Sequence, residues 1–220
     1  DRCDSLELDV VGLHFIYKGQ DDISLLNSDP SAMDRALEYT RALTRLCKDL
    51  GGSIMILGSP QQRNRPSGMG WAKSAEIFKS FLRQSFSYLE KTGITLAIEP
   101  LSTKLTNFIN TVEEAVEIVD SLNHPLIKVM VDVHASTEDT RLVPELIHYV
   151  GKRLGHFHAN SYSGYRPGSG DPDFSPIIAA LNGISYDGWV SVEVFRSNEP
   201  PCECGGNSIK YMMTCGLIRS

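Results

Sequence analysis

The sequence predicts an α/β protein in which parallel strands alternate with helices and close into a barrel. Six apolar segments of strand length alternate with helical segments along the 220 residues, which is the pattern of repeated βα units. Four of these strands end on a carboxylate or an imidazole, at Glu99, Asp132, His158 and Glu193. The chemistry of such barrels lies at the C-terminal ends of the strands, so these two observations predict both the fold and the position of its site.

The predicted strands are short apolar runs bounded by polar or turn-forming residues. SIMILGS is apolar enough for burial on both faces, as in a parallel sheet. The six predicted strands cover residues 8–16, 53–59, 94–100, 127–133, 153–159 and 189–195.

The predicted helices lie between the strands. In the first, Asp29 or Ser31 can act as N-cap, Pro30 suits the first turn, and Gly51-Gly52 ends the helix. The later helices are predicted around residues 71–91, 110–122, 141–151 and 174–184.

The barrel is preferred over an open doubly wound sheet. An open sheet usually carries a glycine-rich phosphate turn after its first strand, and GLHFIYKGQ is not such a turn. A closed barrel needs eight strands and usually about 250 residues. We therefore expect a (β/α)8 TIM barrel that lacks its first two strands in this chain, with residues 1–220 as one N-terminally incomplete domain.

Composition excludes several functional classes. A net charge of −6 argues against general nucleic-acid binding, and no apolar run approaches the roughly 20 residues of a membrane span. Five cysteines without disulfide spacing fit a reducing cytoplasm, where we expect the protein to act. The Cys202-x-Cys204 pair lies in a polar tail, CECGGN, with no second pair nearby, which argues against a structural zinc site.

The four strand-end residues are of the types that bind metal ions. Two glutamates, one aspartate and one histidine would make a hard, oxygen-rich site for a divalent cation if they converge at one end of the barrel. Taken singly, each is most often a solvated strand end. Four in succession at βα spacing favour a metal site.

Several longer motifs then become informative in combination. LAIEPLSTKLTNFINTVEEA, HFHANSYSGYRPGSGDPDF and YDGWVSVEVF resemble segments of the sugar isomerase/epimerase superfamily, the barrels similar to xylose isomerase. The resemblance is strongest to the keto-sugar 3-epimerase branch and covers nearly the whole chain. It departs at Ser102 and Leu105, where the sugar epimerases carry Asn and Glu.

The resemblance implies roles for individual residues. Glu99, Asp132, His158 and Glu193 match the ligands of a divalent metal, which can be manganese, cobalt, magnesium or zinc. Glu99 and Glu193 also match an acid/base pair that would epimerise or isomerise a small ketose, or its phosphate, through a metal-stabilised enediolate. The expected substrate contacts are His134, His14, Arg166 and His156. The resemblance implies a small sugar as substrate and assembly as a homo-oligomer. It implies neither a nucleic-acid partner nor a membrane partner.

Three alternative functions stay open at this point. An inosose-type dehydratase or isomerase would use the same chemistry on the same scaffold. An endonuclease acting at abasic DNA sites shares the four ligand positions, but needs an Asp-x-His where this chain has SYSGYRP. A non-catalytic metal or sugar binder is the third alternative.

Overall fold

The computed structural model describes residues 3–217. These residues form six strands: β1 (Gly12–Leu13), β2 (Ile54–Leu57), β3 (Thr95–Ile98), β4 (Ile127–Asp132), β5 (Leu154–Ala159) and β6 (Val190–Val192). The helices are α1 (Pro30–Asp49), α2 (Trp71–Thr92), α3 (Val112–Leu122), α4 (Val143–Val150), α5 (Ser175–Gly183) and α6 (Pro201–Thr214). The chain divides into two compact units, the first ending at Lys128 and the second beginning at Val129, and each is described by itself.

The first unit alternates strands and helices as predicted. β1, β2 and β3 are parallel neighbours, with Gly12 opposite Ile54 and Ile54 opposite Thr95. All four residues of β2 are buried, as expected for a strand covered on both faces. Helices α1 and α2 pack against each other.

Local sequence signals set the ends of these helices. The Asp29 side chain accepts the Ser31 N–H, and Pro30 occupies the first turn of α1, which confirms the predicted cap. Helix α2 ends at Gly93, whose φ of 74° lies in the left-handed region that favours glycine.

The first predicted strand was too long. It was expected over residues 8–16, but only Gly12 and Leu13 pair with β2. Residues 16–19 form a turn instead, and the Tyr17 N–H donates to Ser59 Oγ. Phe15 has a φ of 52°, which is incompatible with continued strand. The apolar run therefore reflects burial of Ile16 and Tyr17 in a turn, not a longer strand.

The second unit carries β4 from Val129 onward, with β5 and β6, as parallel neighbours. Asp132 lies opposite His158, and His158 lies opposite Ser191 on its other side. The Glu193 N–H donates to Ala159 O just beyond the last pair. Helices α4 and α5 pack against each other. This register brings the carboxyl ends of all three strands to one level.

The segment after β6 corrects a second expectation. CECGGN was interpreted as a polar tail, yet it begins helix α6, with Pro201 in the first turn. Cys204, Ser208 and Met212 are its buried residues, and their spacing of four marks one helical face. That stripe stabilises the helix despite Gly205 and Gly206. Among residues 3–217, no helix is both long and apolar enough to cross a membrane.

Candidate functional site

Glu99 and His14 are the candidate groups of the first unit. Glu99 directly follows β3 and is buried, with its N–H donating to Leu57 O at 3.3 Å. His14 directly follows β1, and its Nε2 lies 3.8 Å from Glu99 Oε2. The imidazole is 41% exposed while the carboxylate is 6% exposed. The pair therefore combines a held, buried carboxylate with an accessible imidazole.

Gly58 lies directly against the carboxylate of Glu99. A Cβ on Gly58 would stand 2.1 Å from Glu99 Oε2, far inside van der Waals contact. The absence of a side chain here leaves the space that the carboxylate occupies. Sequence reasoning did not single out Gly58, because only the fold shows which strand end faces it.

Asp132, His158 and Glu193 form a contiguous cluster in the second unit. His158 Nδ1 lies 2.9 Å from Glu193 Oε2 and 3.5 Å from Asp132 Oδ2. Asp132 ends β4, His158 is the penultimate residue of β5, and Glu193 directly follows β6. Asp132 and His158 are buried, and Glu193 is partly buried. Three predicted ligands thus meet at neighbouring strand ends.

The two carboxyl groups of this cluster have opposite electrostatic environments. Burial alone would raise the pKa of Asp132, but hydrogen bonds with His158 and Glu193 and from the Ala135 N–H hold it below its usual value. Burial raises the pKa of Glu193, and the interaction with His158 only partly offsets that effect. Asp132 is therefore the more firmly ionised of the two.

Asn160 holds Asp132 in place and was missed from the sequence. Its Nδ2 donates to Asp132 Oδ2 at 3.0 Å, and its Oδ1 accepts the His134 N–H at 2.8 Å. The Ala135 N–H donates to Asp132 Oδ1 at 2.7 Å. Asn160 is fully buried and lies two residues after His158, so the alternation of strand side chains would have indicated it.

His134 and His156 occupy different environments. β4 ends at Asp132, so His134 lies in the following turn; its Nδ1 is 2.7 Å from Tyr162 O, and its ring is 5.1 Å from that of Phe195. His156 is buried in β5, with its ring edge-on to that of His158 at 5.1 Å. His134 is thus oriented by a backbone carbonyl, whereas His156 packs inside the unit.

Arg166, in the loop after β5, forms an ion pair with Glu199, in the segment between β6 and α6. Its Nε donates to Glu199 Oε1 at 2.9 Å, and Asn207 donates to the other oxygen of Glu199 at 2.8 Å. Arg166, Glu199 and Arg196 line a small open cavity of about 190 Å³. The guanidinium of Arg166 is thus engaged by Glu199 beside this cavity, and its contact with a substrate stays a prediction.

The donor groups present suit a divalent cation. Within the second unit, Asp132 and Glu193 offer carboxylate oxygens next to the imidazole nitrogen of His158. Within the first unit, Glu99 offers a carboxylate oxygen next to the imidazole of His14. Mixed oxygen and imidazole donors are typical of sites for Mg²⁺, Mn²⁺ or Zn²⁺. Asn160 supports Asp132 in the way that outer hydrogen bonds commonly orient metal ligands.

Relatives named as 3-epimerases are similar to this chain over most of its length. It is 32% identical over 177 residues to a D-psicose 3-epimerase from Enterocloster bolteae, covering 78% of this chain and 58% of the relative. It is 24% identical over 210 residues to a probable ketose 3-epimerase from Synechocystis sp., covering 89% and 71%. The chain spans about three fifths of the length of several curated relatives that it matches.

Solved structures support the fold. A 3-keto-D-glucoside 4-epimerase from E. coli superposes with a TM-score of 0.83 at 19% identity, covering 97% of this chain and 82% of that one. A D-allulose 3-epimerase from Methylomonas sp. gives 0.81 at 20% identity, covering 97% and 79%. The family described as xylose isomerase-like TIM barrel matches residues 1–212. The chain, with its strand ends rich in carboxylates and imidazoles, therefore belongs to the xylose isomerase-like TIM barrel family.

Proposed function

We propose that this protein is a metal-dependent epimerase or isomerase of a small ketose. In this proposal Glu99, Asp132, His158 and Glu193 together hold one divalent cation. The observation that carries it is the cluster of Asp132, His158 and Glu193 at three neighbouring strand ends. Membership of the family, and relatives named as ketose 3-epimerases, support the inclusion of Glu99.

The reaction needs a base and an acid on opposite sides of one carbon. A C–H next to a ketone is a weak acid, so a carboxylate that removes its proton must lie within hydrogen-bond reach. Glu99 and Glu193 are the two candidates: one removes the proton, and the other returns a proton to the opposite face, which inverts the carbon. A divalent cation bound there would supply Lewis-acid polarisation of the ketone oxygen.

Other side chains in this proposal orient the substrate and the acid/base pair. Asp132 is held by Asn160 and by the Ala135 N–H, so its oxygens have a defined direction. His134 has its ring fixed by Tyr162 O and offers its other nitrogen to a sugar hydroxyl. His14, which is accessible beside Glu99, is a second donor to a sugar hydroxyl.

Metal analysis tests the ligand set. Protein purified without chelator should contain close to one divalent ion per chain, and Asp132→Ala should lose most of it. The matched control is Asp187→Ala, because Asp187 is an exposed aspartate in the loop before β6 and should keep the metal content of the unaltered protein. Full metal occupancy in Asp132→Ala would rule out the ligand assignment.

Activity on a panel of free and phosphorylated ketoses tests the reaction. Glu99→Gln and Glu193→Gln keep the side-chain shape but remove the base, so each should lower kcat by about 10²–10⁴-fold. An epimer of equal mass is the expected product. A product lighter by one water would instead identify a dehydratase, and metal binding without any turnover would identify a binding protein.

A further inference from the structure

Arg63 is a fully buried cation close to Glu99. It ends a short 3₁₀ turn (Gln61–Arg63) that follows β2, and its side chain has no exposed surface. Its sequence context is a polar loop, where arginines are usually exposed. Burial lowers the pKa of Arg63 to about 10, and the charges of Glu99 and Glu114 partly oppose that shift. A desolvated guanidinium in this position has an energetic cost that its contacts must offset.

The hydrogen bonds of Arg63 are few and long. Its Nη1 donates to Leu57 O at 3.4 Å and its Nη2 to Ile109 O at 3.5 Å. Its Nε has no hydrogen-bond partner among residues 3–217. A buried arginine usually has most of its five donors satisfied, so these contacts do not explain why an arginine is present on grounds of stability.

The two carbonyls that accept from Arg63 also accept backbone N–H groups of the segment that carries Glu99. Leu57 O also accepts the Glu99 N–H at 3.3 Å, and Ile109 O also accepts the Leu101 N–H at 3.1 Å. The guanidinium therefore connects the end of β2 with the loop before α3, across the segment that carries the Glu99 carboxylate.

Ile109 adds a second, independent sign of constraint. Its φ is 59°, in the left-handed region that a β-branched residue rarely adopts. Strained backbone of this kind persists only where surrounding contacts enforce it, and it is common at functional sites. Here the strained conformation directs the Ile109 carbonyl toward both Arg63 and the Leu101 N–H.

We propose that Arg63 is a positioning residue, whose guanidinium clamps the carbonyls of Leu57 and Ile109 and thereby holds Glu99 in its working position. Its effect on catalysis rests on the proposed function, in which Glu99 acts as a base. Its effect on the backbone of Glu99 is independent of the proposed function. Without Arg63 each carbonyl keeps its amide donor, so removing the guanidinium leaves no buried carbonyl unsatisfied and also removes a desolvated charge. Function and stability should therefore separate.

The test compares Arg63→Met with Arg65→Met. Methionine fills much of the same space without the cation or its donors. Arg65 is the matched control, because its Nε donates to Asn107 O at 2.7 Å and its Nη1 to Met69 O. It stabilises the same loop, and among residues 3–217 its side chain makes no hydrogen bond to Leu57 or Ile109. Hydrogen exchange of single amides, measured by NMR, reports on the backbone in both variants. Thermal unfolding and kcat/KM are measured on the same samples.

In Arg63→Met the Glu99 and Leu101 amides should exchange about tenfold faster, while amides in α1 keep their protection. The unfolding temperature should not fall, and kcat/KM should drop by about 10²-fold, the loss expected for a reacting group displaced by about 1 Å. Arg65→Met should leave both amides unchanged. Arg63→Lys should show amide exchange rates and a kcat/KM between those of the unaltered protein and of Arg63→Met, because one ammonium group cannot span both carbonyls.

Unchanged exchange at Glu99 and Leu101 in Arg63→Met and Arg63→Lys would overturn the proposal. Loss of stability in parallel with activity, or failure of both variants to fold, would show a structural role and also overturn it. If the unaltered protein neither binds metal nor converts a ketose, the proposed function fails. The amide measurements would still decide whether Arg63 holds the backbone of Glu99.

Discussion

Replacement of Gly58 by alanine should separate the position of the Glu99 carboxylate from the stability of the fold. The added Cβ would lie 2.1 Å from Glu99 Oε2, whereas ordinary contact begins near 3.4 Å. The oxygen must therefore move by about 1.3 Å, the difference between these two distances. Because that oxygen is at the far end of a flexible side chain, the movement should cost little folding free energy.

The catalytic cost should be much larger than the structural cost. A misplacement of about 1 Å reduces the rate by about 10²-fold, which corresponds to about 2.7 kcal/mol of transition-state stabilisation. The assay is kcat/KM on the best ketose, with the unfolding midpoint measured alongside. Gly70→Ala is the control, because Gly70 has an ordinary extended backbone and an added Cβ there would have no atom within 4 Å; its kcat/KM should equal that of the unaltered protein.

Two outcomes would refute this reasoning. A Gly58→Ala variant with unchanged kcat/KM would mean that the carboxylate position of Glu99 does not control the rate. A variant that loses activity only because it unfolds would mean that Gly58 serves packing alone. A crystal structure of the variant should show the Glu99 side chain displaced while β2 and β3 keep their register.

Three further predictions concern stability. Thr111→Ala removes the side-chain cap that accepts the Glu114 N–H and should cost about 1 kcal/mol; an unchanged urea midpoint would contradict it. Met212→Ala empties a buried position of α6 and should cost about 2–5 kcal/mol, whereas a negligible loss would mean that α6 does not dock. Hydrogen bonds from Asn207 and Arg166 hold the pKa of Glu199 below its usual value. Its stabilising effect is therefore present above the unfolded pKa near 4.5 and is lost as the pH falls through the folded value. The difference in unfolding temperature between Glu199→Gln and the unaltered protein should vanish at low pH, and a difference that persists would contradict it.

The sequence predicted those features that depend on local pattern. Apolar runs and caps located all six strands and the first five helices, because strand alternation and capping are properties of neighbouring residues. The contact of Asp132 and Glu193 with His158 was also predictable, since parallel strands in succession bring their carboxyl ends together. The family resemblance was confirmed by the match over residues 1–212.

Features that depend on distant residues were not predicted. Arg63 is indistinguishable in sequence from a surface loop arginine, and its burial beside the carbonyls of Leu57 and Ile109 is visible only in the fold. β1 is shorter than predicted because of the hydrogen bond from the Tyr17 N–H to Ser59 Oγ, which joins residues 42 positions apart. Helix α6 carried a usable signal in its buried stripe, but Gly205 and Gly206 obscured it.

Turnover in D₂O is the most direct test of the central claim, that two glutamates exchange protons with one substrate carbon. The unaltered protein, supplied with Mn²⁺ or Mg²⁺ and a ketose that it converts, should give product carrying one solvent deuterium at the inverted or newly protonated carbon. Mass spectrometry and NMR of the purified product locate the label. Product free of deuterium would contradict the two-base mechanism, because hydrogen moved internally between carbons does not exchange with solvent.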